Sequence, residues 1–341
     1  MITDRVPGFN GWLDTSAGQV PCLSNILTWT DRWGACKARW GIGRMNYIVP
    51  PGLYAIGAPT PESPVVVTAN YKMTYDLVRS ALAGCRVWML VLETYGINVW
   101  CAAGKGTFGT EELVHRVTSV DLAKLVNHRR LILPVLGAPG IAAHQVASRC
   151  GFTVIYAAIN ATDLPKFFDN GMITTPAMRE LRFSLYDRLV LIPIEVVLEL
   201  KTLAVLSAFV LLAFTAVGGP AVGLVSLGAY LGAAFSGIAL APLLLPWLPS
   251  RSFAVKGAVI GLLWTFCYLF LAGDNWSPLP IAATFLILPA VSAYHSLNFT
   301  GCTTYTSRSG VKKEMRVGIP AMGASIMMGI LVLVMSRLIG F

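Results

Sequence analysis

The residues at 98–109, NVWCAAGKGTFG, place one thiol in a setting that suits few kinds of chemistry. Cys101 stands between Trp100 and two alanines, and Gly104 and Gly106 frame Lys105. A Walker phosphate loop needs Gly, four residues, then Gly-Lys-Ser/Thr. Val99 stands where the first glycine should be and Gly106 where the hydroxyl should be, so that reading fails. Gly104, Gly106 and Gly109 do match G-x-G-x-x-G. That dinucleotide fingerprint turns directly off a strand, and the nearest strand pattern ends near Thr94. A catalytic thiol needs a neighbouring base. His115 and His128 are of the right type, but nothing in the spacing brings either to Cys101; an inert, buried cysteine is the plain alternative. Metal ligation is the remaining chemistry. With Asn98 as the N-cap of a short helix, Cys101 falls in the first turn, where partial positive charge stabilises a thiolate. Ala102, Ala103 and Gly104 are small enough for a flat macrocycle to lie against the helix. One soft thiolate without a second protein ligand leaves the other coordination positions to a cofactor ring.

Such a helix needs a rigid platform. PVVVTAN at 64–70, VWMLVLET at 87–94, LILPVLG at 131–137 and TVIYAAI at 153–159 read as near-continuous apolar strands. Helical patterns lie between them at 71–83, 121–128 and 142–150. The alternation predicts a parallel, Rossmann-like α/β sheet. Ligands on such sheets bind beyond the carboxyl ends of the strands, which here are 68–70, 94–98, 137–140 and 160–162. The thiol follows the second of these ends. Thr68, Ala69 and Asn70 sit at the first, and Gly137, Ala138 and Gly140 at the third, as candidates to line a cofactor. Glu111 and Glu112 suit the start of a following helix. Thr175 before Pro176 is expected to cap a helix leaving this domain.

The chain has 341 residues, 55% hydrophobic and 13% charged, about half the ~25% charge of soluble domains. Its first half carries most of the charge, and long apolar runs dominate from about residue 200. The expected organisation is a segment without clear periodicity at 1–44, an α/β domain at 45–182, a linker or interfacial helix at 183–200, and a membrane domain at 201–341. Five spans are expected near 203–217, 222–245, 253–272, 279–297 and 319–339, the first extended by PIEVVLELK. Gly228 with Gly232, and Gly257 with Gly261, permit close helix packing. Ionisable residues are nearly absent from the span interiors, with His295 near the end of the fourth, so an anchoring bundle is expected rather than an ion-coupled transporter. The first residues show no signal-peptide pattern. Arg251 and Lys256 mark one loop, and Arg308, Lys312, Lys313 and Arg316 another, while VGGPAV and AGDNWSP carry no basic residue. The asymmetry predicts a multi-pass protein of the inner membrane with its α/β domain in the cytoplasm. The net charge of +9 has no nucleic-acid motif beside it, so membrane lipid is the expected partner and nucleic acid is not. Cys22, Cys36, Cys85, Cys101, Cys150, Cys267 and Cys302 are scattered without a C-x-x-C pair. No disulfide framework, zinc site or iron–sulfur cluster is expected in this chain.

The run Asn98, Val99, Trp100, Cys101, Ala102, Ala103, Gly104, Lys105 resembles the signature of the HgcA family of mercury-methylating corrinoid proteins: Asn, Val/Ile, Trp, Cys, Ala/Ser, Ala/Gly, Gly, Lys. PPGLYAIGAPTPESPVVVTANYK, LILPVLGAPGIAAH and DRLVLIPIEVV are also similar to family segments. The resemblance covers residues 45–200 in sequence and the remainder in architecture. Related corrinoid iron–sulfur proteins of the acetyl-CoA pathway share the fold and generally lack the cysteine. The resemblance implies a cobalamin-type corrinoid held base-off, with Cys101 as catalytic residue and lower axial cobalt ligand, and with Gly106 and Thr107 continuing the cofactor-binding run. Lys105 either contacts the corrin side chains or is a solvated lysine. The implied reaction passes a methyl group from cobalt to Hg(II), as a carbanion or as a radical. The implied partners are a ferredoxin-like protein with two [4Fe–4S] clusters (HgcB), which supplies electrons and carries cysteines thought to deliver mercury, and a methyl donor such as a methyltetrahydrofolate system. Cys22 and Cys36 lie outside the matched run and are considered as a mercury relay. Two other readings stand beside this one: a corrinoid methyl carrier of one-carbon metabolism of the acetyl-CoA pathway type, and a membrane transporter with a soluble regulatory domain.

Overall fold

Short apolar runs bounded by Gly and Pro pair into one seven-stranded sheet in the computed structural model, which describes residues 6–272, 277–303 and 306–339. The chain divides into two compact units, Met1–Leu181 and Arg182–Phe341. The first holds β1 (Phe9–Thr15), β2 (Gly18–Leu23), α1 (Trp29–Arg39), β3 (Gly52–Ile56), β4 (Val65–Ala69), α2 (Lys72–Ala81) and β5 (Val87–Leu92). It continues through α3 (Val99–Lys105), α4 (Thr110–Ser119), α5 (Leu122–Leu125), β6 (Arg130–Leu133), α6 (Ala143–Cys150), β7 (Thr153–Tyr156) and α7 (Leu164–Asp169). The strand order is β1-β2-β3-β5-β4-β6-β7.

The four predicted strands form the parallel half, β5-β4-β6-β7. The sheet as a whole is mixed, which corrects the expectation of a wholly parallel one. β3 runs antiparallel to β5, β2 parallel to β3, and β1 closes a hairpin on β2. The reason lies in the connection at 57–64. A parallel crossover needs a dozen or more residues; this loop is shorter, so β3 and β4 point opposite ways. The Trp88 indole N–H fixes the loop by donating to the Thr60 carbonyl at 3.0 Å. From β4 the chain moves to β5 on one side and then to β6 on the other. The reversal puts a topological switch point between the carboxyl ends of β4 and β6. Two apolar cores flank the sheet: α3 to α6 cover one face with Phe108, Leu113 and Val146, and α2 and α7 cover the other with Tyr75, Val78 and Phe167.

Residues 1–44, expected to be a segment without clear periodicity, supply β1, β2 and α1 to this unit. A buried ion network holds α1 in place. The Arg79 guanidinium, fully buried, donates to Asp31 at 2.8 Å and to Asp76 at 2.9 Å, and Lys72 reaches Asp31 at 2.6 Å. Burial alone would raise Asp31, but hydrogen bonds from Lys72 and Thr28 hold its carboxyl well below the usual range.

Two predicted helices differ from expectation. The pattern at 121–128 yields only α5, because Asp121 turns into the left-handed region (φ 49°) and breaks the run after α4. Thr175 makes no capping bond, and Pro176–Arg179 forms a single 3-10 turn. The Met178 carbonyl accepts from the Ile159 N–H at 2.9 Å and ties this segment back to the sheet. The next helix, α8 (Leu185–Leu189), starts at Ser184, whose capping box with Asp187 is complete.

The second unit contains α8, α9 (Ile192–Gly218), α10 (Pro220–Phe235), a π turn at Ser236–Leu240 leading into α11 (Ala241–Leu243), α12 (Phe253–Ala272), α13 (Pro278–Asn298) and α14 (Arg308–Leu338). Among the described residues, five segments are long and apolar enough to cross a membrane: Leu185–Gly218, Pro220–Leu243, Phe253–Ala272, Pro278–Gly301 and Ser309–Leu338. The residues expected to form an interfacial linker are largely continuous with the first of these, since α9 begins at Ile192. Lys312, Lys313 and Arg316 lie in the opening turns of α14 rather than in a loop. The side chains of Arg308 and Cys302, and residues 273–276 of AGDNWSP, lie outside the described residues.

Gly257 and Gly261 work as the sequence suggests. A Cβ at Gly257 would stand 2.7 Å from the Ala293 Cα, and one at Gly261 2.7 Å from the Pro289 Cα, so α12 and α13 pack backbone to backbone. Gly232 meets the Trp264 ring, whereas nothing approaches Gly228. The apolar spans are not free of charge. Glu199 on α9 accepts from Asn298 at 2.7 Å and lies 3.7 Å from the His295 ring on α13.

Candidate functional site

β5 ends at Leu92, beside the end of β4, and the next six residues lift the chain above the sheet edge into α3. Tyr95 and Gly96 both adopt positive φ (56° and 71°) to make that turn. Asn70 holds it from below. Its side-chain oxygen accepts from the Thr94 N–H at 3.0 Å, the Thr94 hydroxyl at 2.8 Å and the Gly96 N–H at 3.2 Å, and its amide donates to Glu93 at 2.6 Å. Glu112 adds a second grip by accepting the Glu93 N–H at 2.8 Å while paired to Arg116. Glu111 instead pairs with Arg149 of α6.

Asn98 caps α3, as its position in the motif predicts: its side chain accepts the Cys101 N–H at 2.9 Å. The helix has a buried and an open face. Val99, Ala102 and Ala103 face inward; Trp100, Cys101, Gly104 and Lys105 are exposed. Among the described residues the Cys101 Sγ makes no hydrogen bond, and no group of three or more His, Cys, Asp or Glu could hold a metal ion. The role expected of the small residues therefore divides. Ala102 and Ala103 are small because they pack downward, and only Gly104 keeps the outer face low.

What they pack against is the 3-10 turn Val135–Gly140 that follows β6. A Cβ on Gly140 would collide with the Phe108 carbonyl and stand 3.0 Å from the Ala103 Cα, and one on Gly137 would lie 2.6 Å from the Phe108 ring. The turn can close beneath α3 only with glycine at both positions. Ala138, between them, is half-buried. Gly106 ends α3 in the left-handed conformation (φ 82°), and the Thr107 N–H and hydroxyl both return to the Ala102 carbonyl.

The structure thus brings residues 98–107 together with Gly137, Ala138 and Gly140 at the switch point. Thr68, Ala69 and Asn70 are at the same edge but almost fully buried. Asn70 spends its hydrogen bonds on the loop, so the geometry gives it a bracing task. The Thr68 hydroxyl is buried without a hydrogen-bond partner among the described residues. His128 lies at the opposite edge, bonded to the Ser63 carbonyl at 2.9 Å, and His115 faces outward from α4, so neither accompanies Cys101. Cys22 and Cys36 are not brought together: Cys22 packs against the core beneath α3 to α6, whereas exposed Cys36 is on α1, tied to α2 on the other face. Asn70 and Glu112, taken from the sequence as a cofactor-lining candidate and a helix-start residue, brace the loop instead. The signal for Asn70 was a polar residue directly ending a fully buried strand.

Residues 44–156 match the CdhD family, the CO dehydrogenase/acetyl-CoA synthase delta subunit. The segment runs from just before β3 to the end of β7 and contains α3. The chain is 32% identical over 123 residues to the acetyl-CoA decarbonylase/synthase complex subunit gamma of Methanopyrus kandleri, covering 36% of this chain and 26% of that one. It is 38% identical over 92 residues to the same subunit of Archaeoglobus fulgidus, covering 26% and 20%. It is 30% identical over 117 residues to the corrinoid/iron-sulfur protein large subunit of Moorella thermoacetica, covering 34% and 26%. The chain spans about a quarter of the length of these curated relatives.

Proposed function

We propose that the α/β unit binds a corrinoid and serves methyl transfer in a protein anchored by five membrane helices, with the α/β unit on the cytoplasmic side. The observation that supports this most is the placement of Cys101: exposed, on a capped helix, at the switch point, within a segment similar to corrinoid proteins. The residues fit the group. Gly104, on the same face of α3, raises no Cβ beside the sulfur, and Trp100 and Lys105 border the open surface. The unpartnered Thr68 hydroxyl lies near the end of β4.

When bound, a corrinoid supplies a cobalt–carbon bond from which a methyl group can pass to an acceptor. Cys101 would hold the cobalt through its sulfur. Asn98 fixes the start of α3 by accepting the Cys101 N–H, Asn70 and Glu112 set the height of the helix, and Gly137 and Gly140 admit the turn that supports it.

Two acceptors remain, each favoured by a different observation. The relatives favour a methyl carrier of one-carbon metabolism of the acetyl-CoA pathway type, and this reading has the broader support. The complete run from Asn98 to Lys105 favours Hg(II), because it matches the mercury-methylating signature, and a thiolate-ligated centre suits a soft electrophile. In either case electrons would come from a ferredoxin-like partner and methyl groups from a donor such as a methyltetrahydrofolate system. Anaerobic membranes containing the chain and a methylated corrinoid separate the readings. Methylmercury from added Hg(II), lost in Cys101→Ala, selects mercury. Transfer only to an acetyl-CoA-forming partner enzyme selects the carrier. A chain that retains no corrinoid overturns both.

A further inference from the structure

α1 is mounted with its apolar side outward. Trp29, Trp33, Cys36 and Trp40 recur at the helical spacing i, i+4, i+7 and i+11, which makes one stripe, and all four are exposed, Trp29 at 77%. The inner side is polar or small. Asp31 is buried on Arg79 and Lys72, Ala38 is buried, and Gly34 lies so close to Tyr47 that a Cβ there would strike its ring. The capping box of Thr28 with Asp31 fixes the start of the helix. The stripe therefore cannot roll inward without breaking the buried ion network. Ile26, Ile42 and Met45 extend the exposed apolar surface at both ends of the helix, at 72%, 63% and 76%. Monomeric proteins seldom expose a patch of this kind without a use for it.

Charge identifies the occupant. Arg32 and Lys37 flank the stripe and are exposed, and Asp31, the sole acidic residue in 24–48, is buried and paired. The face is a row of tryptophans between cations, with no exposed carboxylate. Tryptophan rings at headgroup depth, with Lys and Arg beside them, are what an interfacial helix presents to an anionic bilayer. The same chain carries five helices able to cross a membrane, so a bilayer is at hand at high effective concentration and a weak contact suffices.

We propose that the α1 face docks on the surface of an anionic membrane through Trp29, Trp33 and Trp40, with Arg32 and Lys37 on the headgroups. The inference rests on the membrane-anchored reading and is independent of the corrinoid and of the acceptor.

The test uses the full chain in lipid nanodiscs, with Cys36 carrying a bimane fluorophore and Cys101, Cys267 and Cys302 replaced by serine. Discs contain either phosphatidylcholine alone or added phosphatidylglycerol, each with a lipid bearing a shallow nitroxide. The expected result is nitroxide quenching and protection from aqueous iodide in the anionic discs, both reduced by high salt. W29S/W33S/W40S is expected to lose most of the nitroxide quenching, and R32E/K37E to lose it while keeping every tryptophan. Iodide access that is equal in anionic discs and in lipid-free amphipol overturns the proposal. So does shielding that grows with protein concentration in amphipol, which would mark a second copy as the occupant. Shielding that appears only when another protein is added overturns it in favour of a protein partner.

Discussion

α1 and α3 both turn a cysteine outward from the same α/β unit, and they are held there by opposite means. α3 sits on an apolar seat: Val99, Ala102 and Ala103 press on a glycine turn, and Asn98 closes the helix end. α1 sits on a charged seat: Asp31 is clamped by Arg79 and Lys72, and the apolar side is left open. The first arrangement presents one sulfur over a low, clear surface, as a small ligand or a flat cofactor requires. The second presents a wide aromatic band, as an extended surface requires. What a helix shows to solvent is thus decided by what holds it from behind.

The contrast can be broken most severely at Arg79. Arg79→Ala would leave Asp31 and Asp76 buried with Lys72 as their remaining cation. The expected loss is ~3–5 kcal/mol, read by pulse proteolysis of the α/β unit in urea. A loss under ~1 kcal/mol would mean that α1 is not held by charge. The apolar seat is tested by Gly140→Val. The added side chain meets the Phe108 carbonyl and the Ala103 backbone, so a loss of ~1–3 kcal/mol is expected, together with faster labelling of Ala102 and Ala103 amides in hydrogen exchange. Unchanged protection of α3 would show that the turn yields and does not support it.

Asn98→Ala removes one cap and is expected to cost about 1 kcal/mol. Serine at the same position should restore most of it, since its hydroxyl can also accept the Cys101 N–H. The smallest effect at neutral pH is that of titration. Asp31 is depressed in the folded chain. Its contribution is therefore complete above the unfolded carboxylate value of ~3.9 and fades as pH falls below it toward the lower folded value. Urea midpoints should be flat from pH 7 to 5 and fall below about pH 4. Asp31→Asn should flatten that acid limb, and a limb unchanged in that variant would assign it to other carboxylates.

The two helices also differ in how legible they were. The cap of α3 could be read because it is local, Asn98 standing three residues before the thiol; Ala102, Ala103, Gly137 and Gly140, read as facing a cofactor, instead form the seat beneath the helix. The four strands of the parallel half were legible for the same reason as the cap, each being a short apolar run closed by a turn. α1 was not, because its orientation depends on a pair 48 residues apart. β3 escaped notice because five residues between Pro51 and Gly57 resemble a loop until β5 is placed beside them. The bracing role of Asn70 was hidden too, since its partners are loop backbone groups whose positions depend on the left-handed turns at Tyr95 and Gly96.

The role proposed for Cys101 is to ligate cobalt through its sulfur. Cobalt X-ray absorption on the full chain, loaded anaerobically with a corrinoid, tests it most directly, because it reports the ligand atom whatever the acceptor. A sulfur neighbour at cobalt is expected in the native chain and its loss in Cys101→Ala, with the corrinoid still bound and the stability to urea changed by no more than ~0.5 kcal/mol. A cobalt with no sulfur neighbour in the native chain, or one whose sulfur survives in Cys101→Ala, would contradict it.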